Sequence, residues 1–210
     1  MKKYITSAIV PILEEPSDIR KELASDPNTS DLDLSALAND PEDDIRYAVA
    51  KNPSAPADVL LQLSEDPMRD IRYVVAQNHN ANESILQILS QDSDTYVRRA
   101  VAKNPNTPLS ILNQLISDSD MNVRLLVALN DNATSEILNK LWSDTSLSVR
   151  FALAKNDNIS EDILLALSED IHWMVRLYVA ENPKTPISVV KQLSRDSNAV
   201  VSSAAKKRLR

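Results

Sequence analysis

One arginine recurs at a fixed interval. Arg46, Arg72, Arg98, Arg124, Arg150 and Arg176 stand 26 residues apart in the same local setting, with no insertion or deletion between copies. The clearest copy is the stretch Asp92 to Asn104, DSDTYVRRAVAKN. Degraded copies keep the register at Arg20 (DIRKELASDP) and at Ser202 (VVSSAAKKR). A period of roughly 20 to 50 residues marks a solenoid or array, in which each unit buries its apolar face only against its neighbours. The repeat therefore dictates the architecture before any other feature is read.

Each unit carries two short apolar patterns. In the first, apolar residues fall at i, i+1 and i+4: Val59, Leu60, Leu63; Ile85, Leu86, Leu89; Ile111, Leu112, Leu115; Ile137, Leu138, Leu141; Ile163, Leu164, Leu167; Val189, Val190, Leu193. In the second they fall at −1, +3 and +4 from the arginine, as in Ile71, Val75, Ala76 or Val123, Val127, Ala128. Both spacings put the apolar residues on one face of a helix. Alanine at +4 in all six full copies predicts a helix–helix contact too close for a larger side chain. A leucine-rich repeat with one strand per unit has an overlapping period, but it requires alternation, and stretches such as VRRAVAKN space their apolar residues by three and four. Two helices per repeat is the reading.

The punctuation agrees. Asp40, Asp66, Asp92, Asp118, Asp144, Asp170 and Asp196 precede the second helix, twice followed by proline. They are expected as N-caps, with proline at the first helical position. Asn52, Asn78, Asn104, Asn130, Asn156 and Asn182 close the second helix, where asparagine is expected to supply the left-handed conformation that glycine supplies elsewhere. Pro56, Pro108 and Pro186 stand at the entrance of the first helix.

The expected organisation is one solenoid domain over residues 1–210: an N-terminal cap over 1–18, repeats over 19–200 and a C-terminal cap over 201–210. The opening MKKYITSAIVPILEE is read as a capping helix rather than a secretion signal, because Thr6, Ser7 and Pro11 break its apolar run. No run approaches the ~18 apolar residues that a membrane span requires, and the expected location is the cytoplasm. The basic tail Lys206, Lys207, Arg208 and Arg210 is read as complementing the dipole of the last helix.

Composition excludes several kinds of chemistry. The chain has no cysteine, which removes disulfides, thiolate metal sites and cysteine nucleophiles, and no glycine, which removes the loops that cradle phosphates. Its net charge of −7 disfavours nucleic acid as a partner. His79 and His172 are the only histidines, in different repeats, and neither has a ligand set around it. The aspartate and arginine columns (Asp66 with Arg72, Asp92 with Arg98, Asp118 with Arg124, Asp144 with Arg150, Asp170 with Arg176) repeat too often to be a catalytic pair. They read as helix caps combined with ionic contacts between layers. No cofactor, no metal and no catalysis are expected.

What varies is a stripe on the second helix at −3, +1 and +5. It begins polar, with Asp43, Tyr47, Lys51, then Arg69, Tyr73, Gln77, then Thr95, Arg99, Lys103. It then turns apolar, with Met121, Leu125, Leu129, then Leu147, Phe151, Lys155, then Trp173, Leu177, Glu181. Exposed apolar patches with aromatics mark interaction sites. The expected protein-binding residues are Met121, Leu125, Leu129, Leu147, Phe151, Trp173 and Leu177, with Tyr47, Tyr73 and Arg99 forming a more polar end. A homodimer contact and simple core are the alternatives for the same stripe.

The pattern D-x4-[VI]-R-x2-V-A-x-N followed by [IV]-[LV]-x2-L-x2-D resembles the leucine-rich repeat variant, a relative of HEAT repeats. The resemblance covers roughly residues 19 to 205. It implies an all-α fold, a right-handed α-solenoid of about seven helical pairs in which one helix of each pair can be of 3₁₀ type. One leucine-rich repeat variant protein is associated with an iron–sulfur cluster, a feature that cannot carry over to a chain without cysteine. The expected function is a non-catalytic scaffold or adaptor that binds a protein or peptide along its concave face. Two alternatives from HEAT-like relatives are a nucleic-acid-binding protein or DNA-glycosylase-like enzyme, for which Trp173 near Asp170 is the one hint, and a chromophore lyase or chaperone using the apolar patch.

Overall fold

The structure, a computed structural model, describes residues 11–210. Most of the expected cap over 1–18 lies outside them. Within the described part, Pro11 opens a 3₁₀ turn, Ile12–Glu14, and Pro16 is the N-cap of the first long helix.

Every regular element among the described residues is helical. The chain forms two compact units. The first, ending at Asn106, holds α1 (Ser17–Ser25), α2 (Asp31–Leu37), α3 (Asp43–Lys51), α4 (Ala57–Leu63), α5 (Arg69–Gln77), α6 (Glu83–Leu89) and α7 (Thr95–Lys103). The second, from Thr107, holds α8 (Leu109–Leu115), α9 (Met121–Ala128), α10 (Ser135–Leu138), α11 (Leu147–Lys155), α12 (Glu161–Leu167), α13 (Trp173–Glu181), α14 (Ile187–Leu193) and α15 (Ala199–Arg208). Odd-numbered helices are the long, arginine-bearing ones and even-numbered helices the short ones. Both members of a pair are α-helical, and the short ones taper into tighter turns. After α6, the Gln91 and Asp92 amides donate to Ile88 and Leu89, three residues back. In α10 that tightening sets in after four residues.

The core is the one the periodicity dictates. All six trios of the short helices are buried, as are Ile45, Ile71, Val97, Val123, Val149 and Val175 and their partners at +3 and +4 on the long helices. Proline enters as expected, with Pro56, Pro108 and Pro186 capping α4, α8 and α14. A column the spacing analysis passed over sits three residues beyond each closing asparagine: Ala55, Ala81, Thr107, Ala133, Ile159 and Thr185 are all buried. Ala55, Ala81, Ala133, Ile159 and Thr185 each close a β-turn whose first carbonyl is the asparagine's, as in Ala55 N–H to Asn52 O at 3.1 Å.

The aspartate column is not the N-cap. The caps of the long helices lie two residues later, at Glu42, Met68, Asp94, Asp120, Ser146, His172 and Asn198. Each column carboxylate instead accepts the amide of that cap residue, as Asp66 does from Met68 at 2.8 Å, and those of Asp40, Asp66, Asp92, Asp144, Asp170 and Asp196 bind the arginine of the preceding repeat. In the first unit these pairs are Arg20–Asp40 (2.7 Å), Arg46–Asp66 (2.7 Å) and Arg72–Asp92 (2.6 Å). In the second they are Arg124–Asp144 (2.6 Å), Arg150–Asp170 (2.6 Å) and Arg176–Asp196 (2.7 Å). The arginine six residues after an aspartate reaches only its backbone: Arg72 Nη1 donates to Asp66 O, Arg98 Nη1 to Asp92 O and Arg124 Nη1 to Asp118 O, each at 2.8 Å. Asp66 thus joins two arginines, Arg46 through its carboxylate and Arg72 through its carbonyl. The ionic contact is between layers, as expected, while the capping role passes to the residue at +2. The reason is geometric, because a carboxylate turned toward the preceding arginine cannot also sit over the first turn of its own helix.

These contacts set the acid limb of stability. Burial pushes the Asp92, Asp144 and Asp170 carboxyls up, but the arginine fork, the amide of the cap residue and further arginine charge outweigh it and hold each below its ordinary value. For Asp196 the bond from Arg176 is the leading cause of the same shift. A carboxyl with a depressed folded-state pKa contributes stability that is complete above its unfolded value, about 4, and is lost as pH falls through the folded value. The melting temperature is therefore expected to stay level from pH 8 to about 5.5 and to fall steeply below about pH 4. Circular dichroism melts across that range check it, and an unchanged melting temperature at pH 3 would remove the ladder from the stability account.

The asparagine column is also corrected. Asn52, Asn78, Asn104, Asn156 and Asn182 close their helices in extended conformation, Asn78 for instance at φ −68, ψ 135, so none supplies a left-handed residue. Where proline follows, as at Pro53, Pro105 and Pro183, it excludes helical backbone before it. The side chain does the work instead. Asn78 Nδ2 donates to Ala50 O (2.9 Å) and Asn52 O (3.0 Å) of the preceding repeat, while its Oδ1 accepts the Asn80 amide at 2.9 Å. Asn104 and Asn182 reach Ala76 and Ala154 in the same way, and Asn130 is buried with its Oδ1 on the Asn132 amide. The invariant alanine is thus the carbonyl to which the next repeat is tied. A second row two residues on adds bonds, such as Asn80 Nδ2 to Pro53 O (2.9 Å) and Ala55 O (3.0 Å).

At the end of the second unit the register puts Arg208 where an asparagine would stand. Its Nη1 donates to Ala180 O and Asn182 O, and its Nη2 to Pro183 O (2.6 Å) and Thr185 O (3.0 Å). One guanidinium reproduces the bonds of both asparagine rows. Arg208 is therefore a specific tie to the preceding repeat as well as a cation in the last turn of α15.

Candidate interaction surface

The variable stripe lies on the long helices, which form the more extensively packed side of each unit: α9 packs on α11, α11 on α13 and α13 on α15. In the second unit none of its predicted residues is buried. Met121 and Leu129 are 48% and 54% exposed, and Leu125, Leu147, Phe151, Trp173 and Leu177 are half-buried. The stripe is thus distinct from the core columns at −1, +3 and +4, which are closed to solvent.

Phe151 on α11 meets Tyr178 on α13 with ring centroids 5.0 Å apart. The Lys155 ammonium sits over both rings, 5.0 Å from the Tyr178 centroid and 5.9 Å from that of Phe151. The stripe analysis missed Tyr178 because it stands at +2, a column holding Ala48, Val74, Ala100, Leu126 and Ala152 in other repeats. A lone tyrosine among aliphatic residues was the available signal. Trp142, 45% exposed after the shortened α10, was also passed over. Between α13 and α15 lies a notch of about 450 Å³, walled by Leu177, Glu181 and Val200 and floored by Ala199, Ser203 and Ala204. It exists because α15 carries small residues where the preceding long helices carry Trp173, Leu177 and Tyr178.

In the first unit Tyr47 is exposed and Tyr73 and Arg99 are half-buried. The centre of that cluster is Tyr96, unpredicted and 57% exposed, with the guanidinium groups of Arg99 and Arg69 at 5.0 and 5.7 Å from its ring centroid. Arg69 is also paired with Asp70 at 2.7 Å. Arg69, Asp70, Tyr73 and Tyr96 line a shallow cleft of about 250 Å³.

Trp173 stacks on His172, centroids 6.1 Å apart, and His172 Nδ1 accepts the Met174 amide. The carboxylate that the sequence places near Trp173 is committed elsewhere: Asp170 holds Arg150 and the His172 amide. That arrangement gives it a role in the ladder between layers. Among the described residues no three His, Asp or Glu side chains gather to hold a metal ion, and no helix is long and apolar enough to cross a membrane.

The family model described as leucine rich repeat variant matches residues 43–68, one full period from the start of α3. No curated protein matches the chain. Among solved structures, the chain is similar to one described as a leucine-rich repeat variant with a novel repetitive protein structural motif, at 26% identity and a TM-score of 0.70. That likeness covers 91% of this chain and 81% of the other. With the 26-residue register, the all-helical pairs and both matches in agreement, the chain carries a leucine-rich repeat variant motif and is similar in fold to the helical repeat solenoid of that family.

Proposed function

We propose that this protein is a non-catalytic scaffold that binds a protein or peptide across the long helices of its second unit. One observation carries the reading: three successive long helices, α9, α11 and α13, present apolar residues at positions that the repeat keeps out of the core. The same positions in α3, α5 and α7 are charged or polar. A solvent-facing column costs nothing to keep polar, so an apolar run across three layers argues for a covering partner. Solenoids bind along the surface formed by stacked equivalent helices, and the long helices are the closely packed side of the unit.

The test is a pull-down with the full chain and with Leu125→Asp/Phe151→Asp/Leu177→Asp, after circular dichroism shows that both are folded. The expected result is a partner retained by the wild type and lost, at least tenfold, by the variant. Equal capture by both would move binding off the stripe. An unfolded variant would show that these half-buried side chains serve packing.

A further inference from the structure

We infer that the groove selects a peptide carrying a carboxylate a few residues away from a bulky apolar side chain, the carboxylate bound at Lys155 and Tyr178 and the apolar group in the notch between α13 and α15. This rests on the reading of the stripe as a binding surface and names the chemistry of its partner.

No described carboxylate lies within ion-pair distance of the Lys155 ammonium, which instead rests on the faces of Phe151 and Tyr178. The Tyr178 hydroxyl likewise makes no hydrogen bond among the described residues. A cation fixed over two rings is held in place at little further entropic cost when an anion arrives. It offers hydrogen-bond donors for a charge-assisted bond to a carboxylate. The field of the unit does not oppose an acidic guest. Residues 107–210 carry twelve basic and twelve acidic side chains, so the whole excess of −7 lies in residues 1–106.

The apolar anchor has its own place. The notch of about 450 Å³ opens where Ala199, Ser203 and Ala204 stand in place of the Trp173, Leu177 and Tyr178 of α13, a size at the small end of ligand sites. Glu181 on its wall repels a second carboxylate there and so sets the peptide's direction. Adjacent packed helices stand roughly 9 Å apart, and the Lys155 ammonium lies between α11 and α13, so the notch is about one layer, or roughly 9 Å, from it. An extended chain rises about 3.3 Å per residue, so carboxylate and anchor should be separated by about three residues.

The probe is an array of capped nine-residue peptides on an alanine–serine background. Each carries one Asp or Glu and one Leu or Phe, at separations from two to six residues. Binding of the labelled full chain is expected to peak at separations of two to four. It should fall about tenfold when the acid is replaced by its amide, and weaken with salt. In Lys155→Met, an exposed site whose fold is checked by circular dichroism, apolar peptides should still bind while the preference for acid over amide drops to about one. A preference that survives Lys155→Met, no dependence on the acid, or no peptide bound at all would overturn the proposal. If apolar peptides bind without acid preference and the triple aspartate variant abolishes them, the groove stands and only its selectivity is wrong. A dimer seen by sedimentation and dissolved by that variant would make a second copy the occupant and overturn the peptide.

Discussion

Replacing Asn78 by glycine is expected to destabilise the chain by about 3 kcal/mol and to lower its melting temperature by roughly 6–12 °C. The side chain serves three backbone groups at once, donating to the Ala50 and Asn52 carbonyls and accepting the Asn80 amide. Both carbonyl contacts are buried. Removing the amide strands these groups where water cannot reach them, at about 1 kcal/mol or more apiece. Had asparagine been there for a left-handed backbone, glycine would be the replacement that stabilises. At φ −68, ψ 135 there is no such conformation to relieve, and glycine adds only chain entropy to the loss. Asn78→Ala should cost nearly as much. Asn78→Asp should cost more, since it keeps the acceptor but sets a carboxylate against two carbonyl oxygens. Thermal and urea unfolding by circular dichroism decide the matter, and a glycine variant as stable as wild type would return the column to the role of ending helices.

That contrast shows where the sequence was legible. Val97, Val101 and Ala102, or Ile85, Leu86 and Leu89, could be assigned to the core because burial is a property of one helix face, and one repeat displays a face completely. Bonds between repeats are not displayed that way. Asp66 lies six residues from Arg72 in the chain and twenty from Arg46, and only stacking reveals that its carboxylate serves Arg46. The asparagine has two chemistries, a backbone tolerance and a donor–acceptor side chain, and recurrence alone cannot say which is used. Arg208 was readable in principle, since it stands 26 residues after Asn182, but a basic tail suggests a dipole before it suggests a register. At the candidate surface the −3, +1 and +5 positions were found by periodicity. Tyr178 lies at +2, a column that holds alanine in other repeats, and Tyr96 at −2, a column that holds Asp44, Asp70, Asn122 and Ser148, so neither column signals an aromatic ring.

The second large effect is expected at Arg124. Its Nε and Nη2 donate to both oxygens of Asp144, at 2.6 and 2.9 Å, and Nη1 donates to Asp118 O at 2.8 Å. Arg124→Ala leaves the Asp144 carboxylate, 6% exposed, with only the Ser146 amide for company. Stranding a buried charge in this way costs about 3–5 kcal/mol, far more than the pair itself adds over an apolar substitute. Arg124→Lys should recover only part of it, because a point charge cannot make the two-pronged contact and also reach the Asp118 carbonyl. A double-mutant cycle separates the pair from its surroundings: Arg124→Ala/Asp144→Ala should be less destabilised than the sum of the single variants by about 1.5 kcal/mol or more. The pH dependence adds an independent check. The Asp144 carboxyl is held below its ordinary value with Arg124 as a cause, so the penalty of Arg124→Ala should be full near neutral pH. It should shrink as pH falls and Asp144 becomes neutral in both proteins. A penalty of the same size at pH 3 and pH 7 would assign the loss to packing of the arginine stem rather than to its charge.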